Sequence, residues 1–223
     1  MLRQRSVFDV IGPVMVGPSS SHTAGAVRLG ALARAIAGGD VHTARVTLHG
    51  SFASTGRGHG TDVALVAGLL GFSPDDPRIP DAFAHADAAG IEVAFAAGDL
   101  GDAHPNTARI EIVTADGTPV LVQGSSVGAG DVEITLIDDF PVRLTGELPA
   151  LGVVHQDQPG VVAAVSARLA AGTINIASMQ VFRERRGARA LMVIETDDPV
   201  GDDVARGIAA LPGVVTVRVV PAV

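Results

Sequence analysis

The sequence predicts an α+β protein of two domains, and three observations carry that expectation. Strand-like alternation and Ala/Leu-rich helical stretches interleave through residues 1–140. The pattern changes over Asp138 to Glu147, which reads as a linker. From Leu148 the order is strand, helix, strand, strand, helix, strand, the split βαβ or ferredoxin-like plan. The expected divisions are therefore 1–140 for the first domain, 141–147 for the linker and 148–223 for the second.

The elements follow in order. Ser6-Val7-Phe8-Asp9-Val10-Ile11 is a short apolar segment that stops at Gly12-Pro13. Ala24 to Ala37 is rich in helix formers, with Ser20, Ser21 or Thr23 as candidate caps and Gly38-Gly39 as the stop. Val41 to Gly50 alternates as a strand. Thr55 to Asp62 reads as a glycine-rich loop, followed by a helix from Asp62 to Leu70. Residues 73–81 hold three prolines and read as a surface loop, before a helix over Asp81 to Ala89 and a strand-like run from Ile91 to Phe95. Gly98 to Asn106 is turn-rich. Ala108 to Thr114 and Pro119 to Gln123 are strands joined by Asp116-Gly117, a hairpin signal. Gly124 to Gly130 reads as a glycine loop and Asp131 to Ile137 as a strand. In the second domain the strands are expected near 148–155, 173–182, 188–196 and 214–220, and the helices near 160–171 and 201–211.

Composition narrows the chemistry. The chain has 223 residues, no cysteine, and sixteen basic residues that are all Arg. Without Lys it offers no Schiff-base amine for pyridoxal phosphate and no P-loop lysine. Without Cys it supplies no thiolate to an iron–sulfur cluster or a zinc site. The net charge is −8, with no Trp or Tyr and no basic block, which argues against nucleic acid as a partner. No apolar run is long enough to span a bilayer, and the N-terminal residues lack the order of a signal peptide. A cytoplasmic protein without a membrane partner is the expectation.

Two segments concentrate the candidate chemistry. Gly17-Pro18-Ser19-Ser20-Ser21-His22-Thr23-Ala24-Gly25 and Thr55-Gly56-Arg57-Gly58-His59-Gly60-Thr61-Asp62 each set one histidine among hydroxyls and glycines. Hydroxyls and free backbone N–H groups suit an anionic substrate, particularly at a helix start. A neutral imidazole moves a proton near pH 7. His22 alone reads equally as a histidine satisfied in a tight turn; its hydroxyl neighbours favour a site. His59 between Gly58 and Gly60 is the sharper candidate, since glycine lets a ligand approach the backbone. Two such segments describe half of an active site, with the electrophile supplied by a ligand or another chain.

The remaining motifs divide. His104-Pro105-Asn106-Thr107 suits a turn or the rim of a site. The Gly124–Gly130 stretch lacks the G-x-G-x-x-G spacing and precedes a strand, so it is no nucleotide fingerprint. His42, His49 and His85 have no supporting neighbours and read as structural. In the second domain His155, Asp157, Gly160 and Asn175 bracket the first helix; they are candidates either to grip a small zwitterion or simply to cap the helix and turn the chain.

Together, Ser6-Val7-Phe8-Asp9, the Gly17–Gly25 segment, Gly56–Asp62, His104–Thr107 and Gly124–Gly130 resemble the beta chain of iron–sulfur-dependent bacterial L-serine dehydratase, in the same order. The remainder resembles an ACT domain, an amino-acid-sensing module. The first domain is also similar to the allosteric substrate-binding domain of phosphoglycerate dehydrogenase, and the His155/Asp157/Asn175 pattern to the serine-binding loop of that enzyme's ACT domain. This chain departs from the patterns at Arg57, often Lys in the family, and at Asp157, Asn in the dehydrogenase-like loop.

The resemblance implies a reaction. L-serine loses water and becomes pyruvate and ammonia. A separate L-serine dehydratase alpha chain, carrying cysteines and a 4Fe–4S cluster, completes the site and supplies the Lewis acid. His59 is implied as the base and His22 as a substrate contact. Ser19, Ser20, Ser21, Thr23, Gly58 and Thr61 are implied to hold the substrate. No metal ligand is expected in this chain. His155, Asp157, Gly160 and Asn175 are implied to bind an effector, and the ACT domain to pair two copies of the chain within a hetero-oligomer. Two rivals stand beside this reading: a non-catalytic protein that senses serine through its ACT domain, and a hydrolase using Ser20 or Ser21 with His22, which lacks an acidic third member.

Overall fold

A computed structural model describes residues 14–223. Ser6 to Ile11 lies outside the described residues. The chain forms two compact units, one ending at Thr135 and the other running from Leu136 to Val223.

The first unit opens with one π-helical turn, Ser20–Ala24, that leads directly into helix α1, Gly25–Ala37. The cap is Ser19, whose hydroxyl accepts the His22 N–H at 3.2 Å, rather than the expected Ser20, Ser21 or Thr23. Gly38 ends α1 in the left-handed region at φ 75°, returning its N–H to the Arg34 and Ala35 carbonyls. Strand β1 is Val41–Leu48.

Helix α2, Gly50–His59, replaces the expected glycine loop. Gly56 and Gly58 each weaken a helix by about 1 kcal/mol relative to Ala. Tertiary contact overrides that preference: Phe52 and Gly56 are buried, and the Phe52 N–H donates to Pro105 O at 3.3 Å. Gly60, at φ 68°, breaks the path and starts α3, Thr61–Leu69. Six of the seven residues from Ala64 to Leu70 are buried, together with Thr61. A helix apolar all round belongs at the centre of a core. It crosses α1 where Gly30 meets Gly68: a Cβ on Gly30 would lie 2.5 Å from Leu65 O and 3.1 Å from the Gly68 Cα.

A short 3₁₀ turn, Ile79–Asp81, precedes α4, Ala82–Ala88. The strands then follow: β2 Glu92–Ala97, β3 Thr107–Thr114, β4 Pro119–Gly128, β5 Asp131–Ile137 and β6 Phe140–Leu144. They form a sheet of order β2-β1-β3-β4-β5-β6. The β1–β2 pair is parallel, and β1–β3 and β3–β4 are antiparallel. Val46, Ile110, Ile112, Val122 and Ile134 are buried in the core with Leu29 and Leu32 of α1 and Leu65 and Leu69 of α3.

Two expectations are corrected here. Gly124 to Gly128 is ladder, not loop; only Ala129 and Gly130 turn, both with positive φ (53° and 87°), the backbone that a two-residue hairpin requires. The expected linker at 141–147 begins as β6, because Phe140, Val142 and Leu144 bury alternately with exposed Pro141 and Arg143. The division between the units falls earlier, within β5.

The second unit continues with β7 Ala150–Gln156, α5 Val161–Ala171, β8 Ile176–Arg183, β9 Arg189–Thr196, α6 Asp202–Ala209 and β10 Val214–Val220. Its sheet has the order β10-β7-β9-β8, and every neighbouring pair is antiparallel. Leu151, Val153, Val165, Leu169, Met192, Ile194 and Ile208 make its core. Asp202 and Asp203 in the first turn of α6 favour the positive end of the helix dipole.

Candidate active site

The histidine segments meet. The rings of His22 and His59 stand 4.9 Å apart, centroid to centroid, at an interplanar angle of 41°. The edge of His22 also meets Phe52 at 5.2 Å. Local backbone structure makes this possible. The π-helical turn swings His22 over α2, and Ser51, Thr55 and His59 recur every fourth residue on one face of that helix.

Hydroxyls surround the pair. His22 Nε2 lies 3.1 Å from Thr55 Oγ1 and 3.2 Å from Ser51 Oγ. The Thr55 hydroxyl also donates to the Ser51 carbonyl at 2.8 Å, one turn back along α2. His59 Nδ1 is 3.1 Å from the Thr55 carbonyl oxygen. That oxygen only accepts, so Nδ1 carries the hydrogen and neutral His59 has its lone pair on Nε2. Thr23 ties the two segments from beneath, its buried hydroxyl donating to His59 O at 3.4 Å.

Burial pushes the His22 pKa below its ordinary 6.5; repulsion from His59 adds to the fall, and the Ser51 main chain opposes it. His22 is therefore neutral at pH 7, able to accept a proton.

Two further motifs border the same region. Gly50, at φ 54°, packs so closely on Pro105 that a Cβ would lie 2.7 Å from its carbonyl oxygen. The Asn106 N–H donates to His104 Nδ1 at 3.1 Å, which places the His104 hydrogen on Nε2. Asn106 O accepts the Ser126 N–H at 2.9 Å, and Thr107 Oγ1 lies 2.7 Å from Ser125 Oγ. Ser126 in turn sits against Gly25, where any Cβ would collide with its hydroxyl. The segments at 17–25, 50–61, 104–107 and 125–126 thus converge around the starts of α1 and α2.

The candidate substrate contacts separate by position. Ser19 is spent on its cap, and Thr23 on His59. Ser20 and Ser21 are half-buried. Gly58 faces open space, with nothing within 4 Å of an added Cβ, so a ligand has access to that backbone. Thr61 is fully buried against Gly56, and its hydroxyl has no partner among the described residues. The sequence reading does not single out Ser51, and it holds Thr55 only as one hydroxyl of its segment, with no contact to His22. Their signal was the four-residue spacing to His59, hidden by the glycines that made the stretch read as a loop.

The chain has no cysteine, and no group of three or more His, Cys, Asp or Glu among the described residues is placed to hold an ion. These residues do not fit an iron–sulfur cluster.

In the second unit the structure separates residues expected to lie side by side. His155 pairs with Ala190, which also faces Arg183; Ile176, next to Asn175, pairs with Thr196. Asn175 therefore lies about 20 Å along the sheet from His155, at ~3.3 Å per residue. Asn175 Nδ2 donates to Asp197 at 2.6 Å. The Asp157 carboxylate accepts from the Gly187 N–H at 2.9 Å and from Arg183 Nη1 at 3.3 Å, clamping the β8–β9 hairpin. Gly160, at φ 94°, starts α5. His155 is buried, donates through Nδ1 to Gln156 O at 2.7 Å, and leaves Nε2 without a partner among the described residues.

Known proteins match both units. The serine dehydratase beta chain family matches residues 6–92, and an AHAS small subunit-like ACT domain matches residues 151–216. The probable L-serine dehydratase, beta chain, of Bacillus subtilis (strain 168) is 46% identical over 97% of this chain and 98% of its own length. The L-serine dehydratase, beta chain, of Peptoniphilus asaccharolyticus is 38% identical over 96% and 97%. The D-3-phosphoglycerate dehydrogenase of Synechocystis sp. is 29% identical over 83% of this chain and 34% of its own. With two relatives matched over nearly their whole length, at 46% and 38% identity, the chain belongs to the family of L-serine dehydratase beta chains.

Proposed function

We propose that this chain is the beta subunit of an iron–sulfur L-serine dehydratase, converting L-serine to pyruvate and ammonia in a site completed by a cysteine-bearing alpha chain. The observation that carries the reading is the His22–His59 pair, set among hydroxyls in a chain that matches beta chains over nearly its whole length. His59 Nε2 is the base. It takes the α-proton of serine and returns that proton to the departing β-hydroxyl, which leaves as water. The aminoacrylate that remains becomes its imine, and water hydrolyses that imine to pyruvate and ammonia. Neutral His22 and the half-buried Ser20 and Ser21 orient the substrate, and the open side of Gly58 admits it. A 4Fe–4S cluster held by the alpha chain's cysteines would supply Lewis-acid chemistry toward that hydroxyl.

The ACT unit serves regulation and pairing of two copies, with ferredoxin-like topology supported by the βαββαβ order. We place the first unit with the allosteric substrate-binding domains on the strength of the dehydrogenase similarity. The protein works in the cytoplasm; no described helix is long and apolar enough to cross a membrane.

Anaerobic co-expression with an alpha chain, followed by a pyruvate assay, tests the proposal. The pair is expected to turn over serine, and this chain alone to bind no iron and form no pyruvate. Turnover by the isolated chain, or none by an assembled, cluster-loaded pair, overturns it.

A further inference from the structure

We propose that Thr55 is a positioning residue that holds the two histidines in opposite tautomers, so that neutral His22 keeps its lone pair on Nδ1 and neutral His59 keeps its own on Nε2. The inference deepens the active-site reading above and rests on it for its link to catalysis. The geometry itself is independent of that link.

The argument counts hydrogens. A threonine hydroxyl has one proton and two lone pairs. Thr55 gives its proton to the Ser51 carbonyl, the shortest of its contacts at 2.8 Å. Its oxygen can then only accept from the other two neighbours, His22 Nε2 at 3.1 Å and Ser51 Oγ at 3.2 Å. With hydrogen on His22 Nε2, that N–H is shared between Thr55 Oγ1 and Ser51 Oγ, and every contact in the cluster is a hydrogen bond. With hydrogen on Nδ1 instead, the lone pairs of Nε2 and Thr55 Oγ1 would face each other at 3.1 Å. The first arrangement is the stable one. The same residue settles His59 through its main chain, because the Thr55 carbonyl accepts only from Nδ1–H.

The consequence is chemical. Two imidazoles 4.9 Å apart with the same tautomer would offer equivalent nitrogens. Opposite tautomers make them distinct, and which ring nitrogen is bare decides which imidazole faces a substrate as base. Side chain and main chain of one residue do this separately. Removing the hydroxyl therefore frees His22 and leaves His59 fixed.

The test uses the full chain, labelled with ¹⁵N in its histidine rings and read by two-bond ¹H–¹⁵N correlation at pH 8, with His22→Gln and His59→Gln assigning the signals. The wild type is expected to show His22 protonated on Nε2 and His59 on Nδ1. In Thr55→Val, Ser51 is free to donate to His22 Nε2, so the His22 signals move toward the average of the two tautomers while His59 is unchanged. Thr55→Ser restores the wild-type pattern. Paired with the alpha chain, Thr55→Val is expected to raise KM by a smaller factor than His22→Asn does, with a lesser fall in kcat, because His22 positions the substrate while His59 stays fixed, and Thr55→Ser to recover the wild-type KM. Hydrogen on Nδ1 of wild-type His22, or His22 signals identical in wild type and in a folded Thr55→Val, overturns the proposal. If the tautomers are as stated and a loaded pair of wild-type chains still forms no pyruvate, the dehydratase reading fails and the Thr55 arrangement stands.

Discussion

His22 and His59 hold their rings 4.9 Å apart, and a charge on His59 bears on His22. Burial lowers the His22 pKa first, and His59 lowers it second. Replacing His59 by Gln removes the second cause and leaves the first. His22 is then expected to titrate at a higher pH than in the wild type, still below 6.5. Ring-proton chemical shifts followed against pH check this. An unmoved His22 titration in His59→Gln means the two rings do not couple.

The division of labour proposed for the two histidines has a kinetic signature. His59→Asn keeps size and polarity and cannot accept the α-proton. Loss of a general base costs about 10²–10⁴ in rate, so kcat should fall by that factor with KM little changed. His22→Asn should instead raise KM and lower kcat less. Steady-state kinetics on the pair with the alpha chain, using serine and α-deuterated serine, distinguish the two. The reverse pattern exchanges the roles.

Much of the candidate site is legible in the sequence. The two histidine segments stand out for their hydroxyls and glycines, and both lie at the site. The strand Asp131–Ile137 reads with its observed limits, because alternation and a flanking Gly-Asp junction mark it. Helix α2 was not legible, since Gly56, Gly58 and Gly60 signal a loop. What makes it helical is burial of Phe52 and Gly56 against distant segments, which no local window contains. The expected meeting of Asp157 and Asn175 failed for a reason that topology does carry. The helix between two parallel-running strands returns the chain to its starting end, so the end of β7 and the start of β8 lie at opposite ends of the sheet.

Gly68 and Gly58 are both helical glycines, and they predict opposite responses to Ala. A Cβ on Gly68 would overlap the Val27 carbonyl oxygen and lie 2.8 Å from the Ala31 nitrogen, backbone atoms that cannot step aside. Gly68→Ala is expected to cost roughly 1–3 kcal/mol as overpacking, a fall in Tm of about 2–10 °C. Gly58 meets nothing within 4 Å. Gly58→Ala should leave Tm unchanged or raise it, through better helix propensity, while its methyl group narrows substrate access and raises KM. Thermal melts of the two variants, with serine kinetics for the second, check both. Equal losses of Tm contradict this account of the α1–α3 crossing.

Asp157 predicts an acid-dependent hairpin. The Gly187 N–H holds its carboxyl below the usual carboxylate range, with Arg183 assisting and partial burial opposing. A depressed folded-state pKa means that the unfolded chain binds the proton more readily than the native one. The contribution is therefore complete above the ordinary 3.8 and is lost as pH falls from there through the lower folded value. Asp157→Asn keeps an oxygen for the Gly187 N–H and loses the charge, so it lacks this dependence. Above pH 5 the wild type is expected to be the more stable of the two, with slower amide exchange at Gly187. Below that the difference should shrink as the wild-type carboxyl takes its proton. Arg183→Gln should reproduce part of the effect, because it removes one of the two partners. Denaturant melts of all three chains across the acid range, with Gly187 exchange above pH 5, make the measurement. A gap between wild type and Asp157→Asn that stays constant with pH would show that the carboxylate does not clamp the hairpin and is free for another ligand.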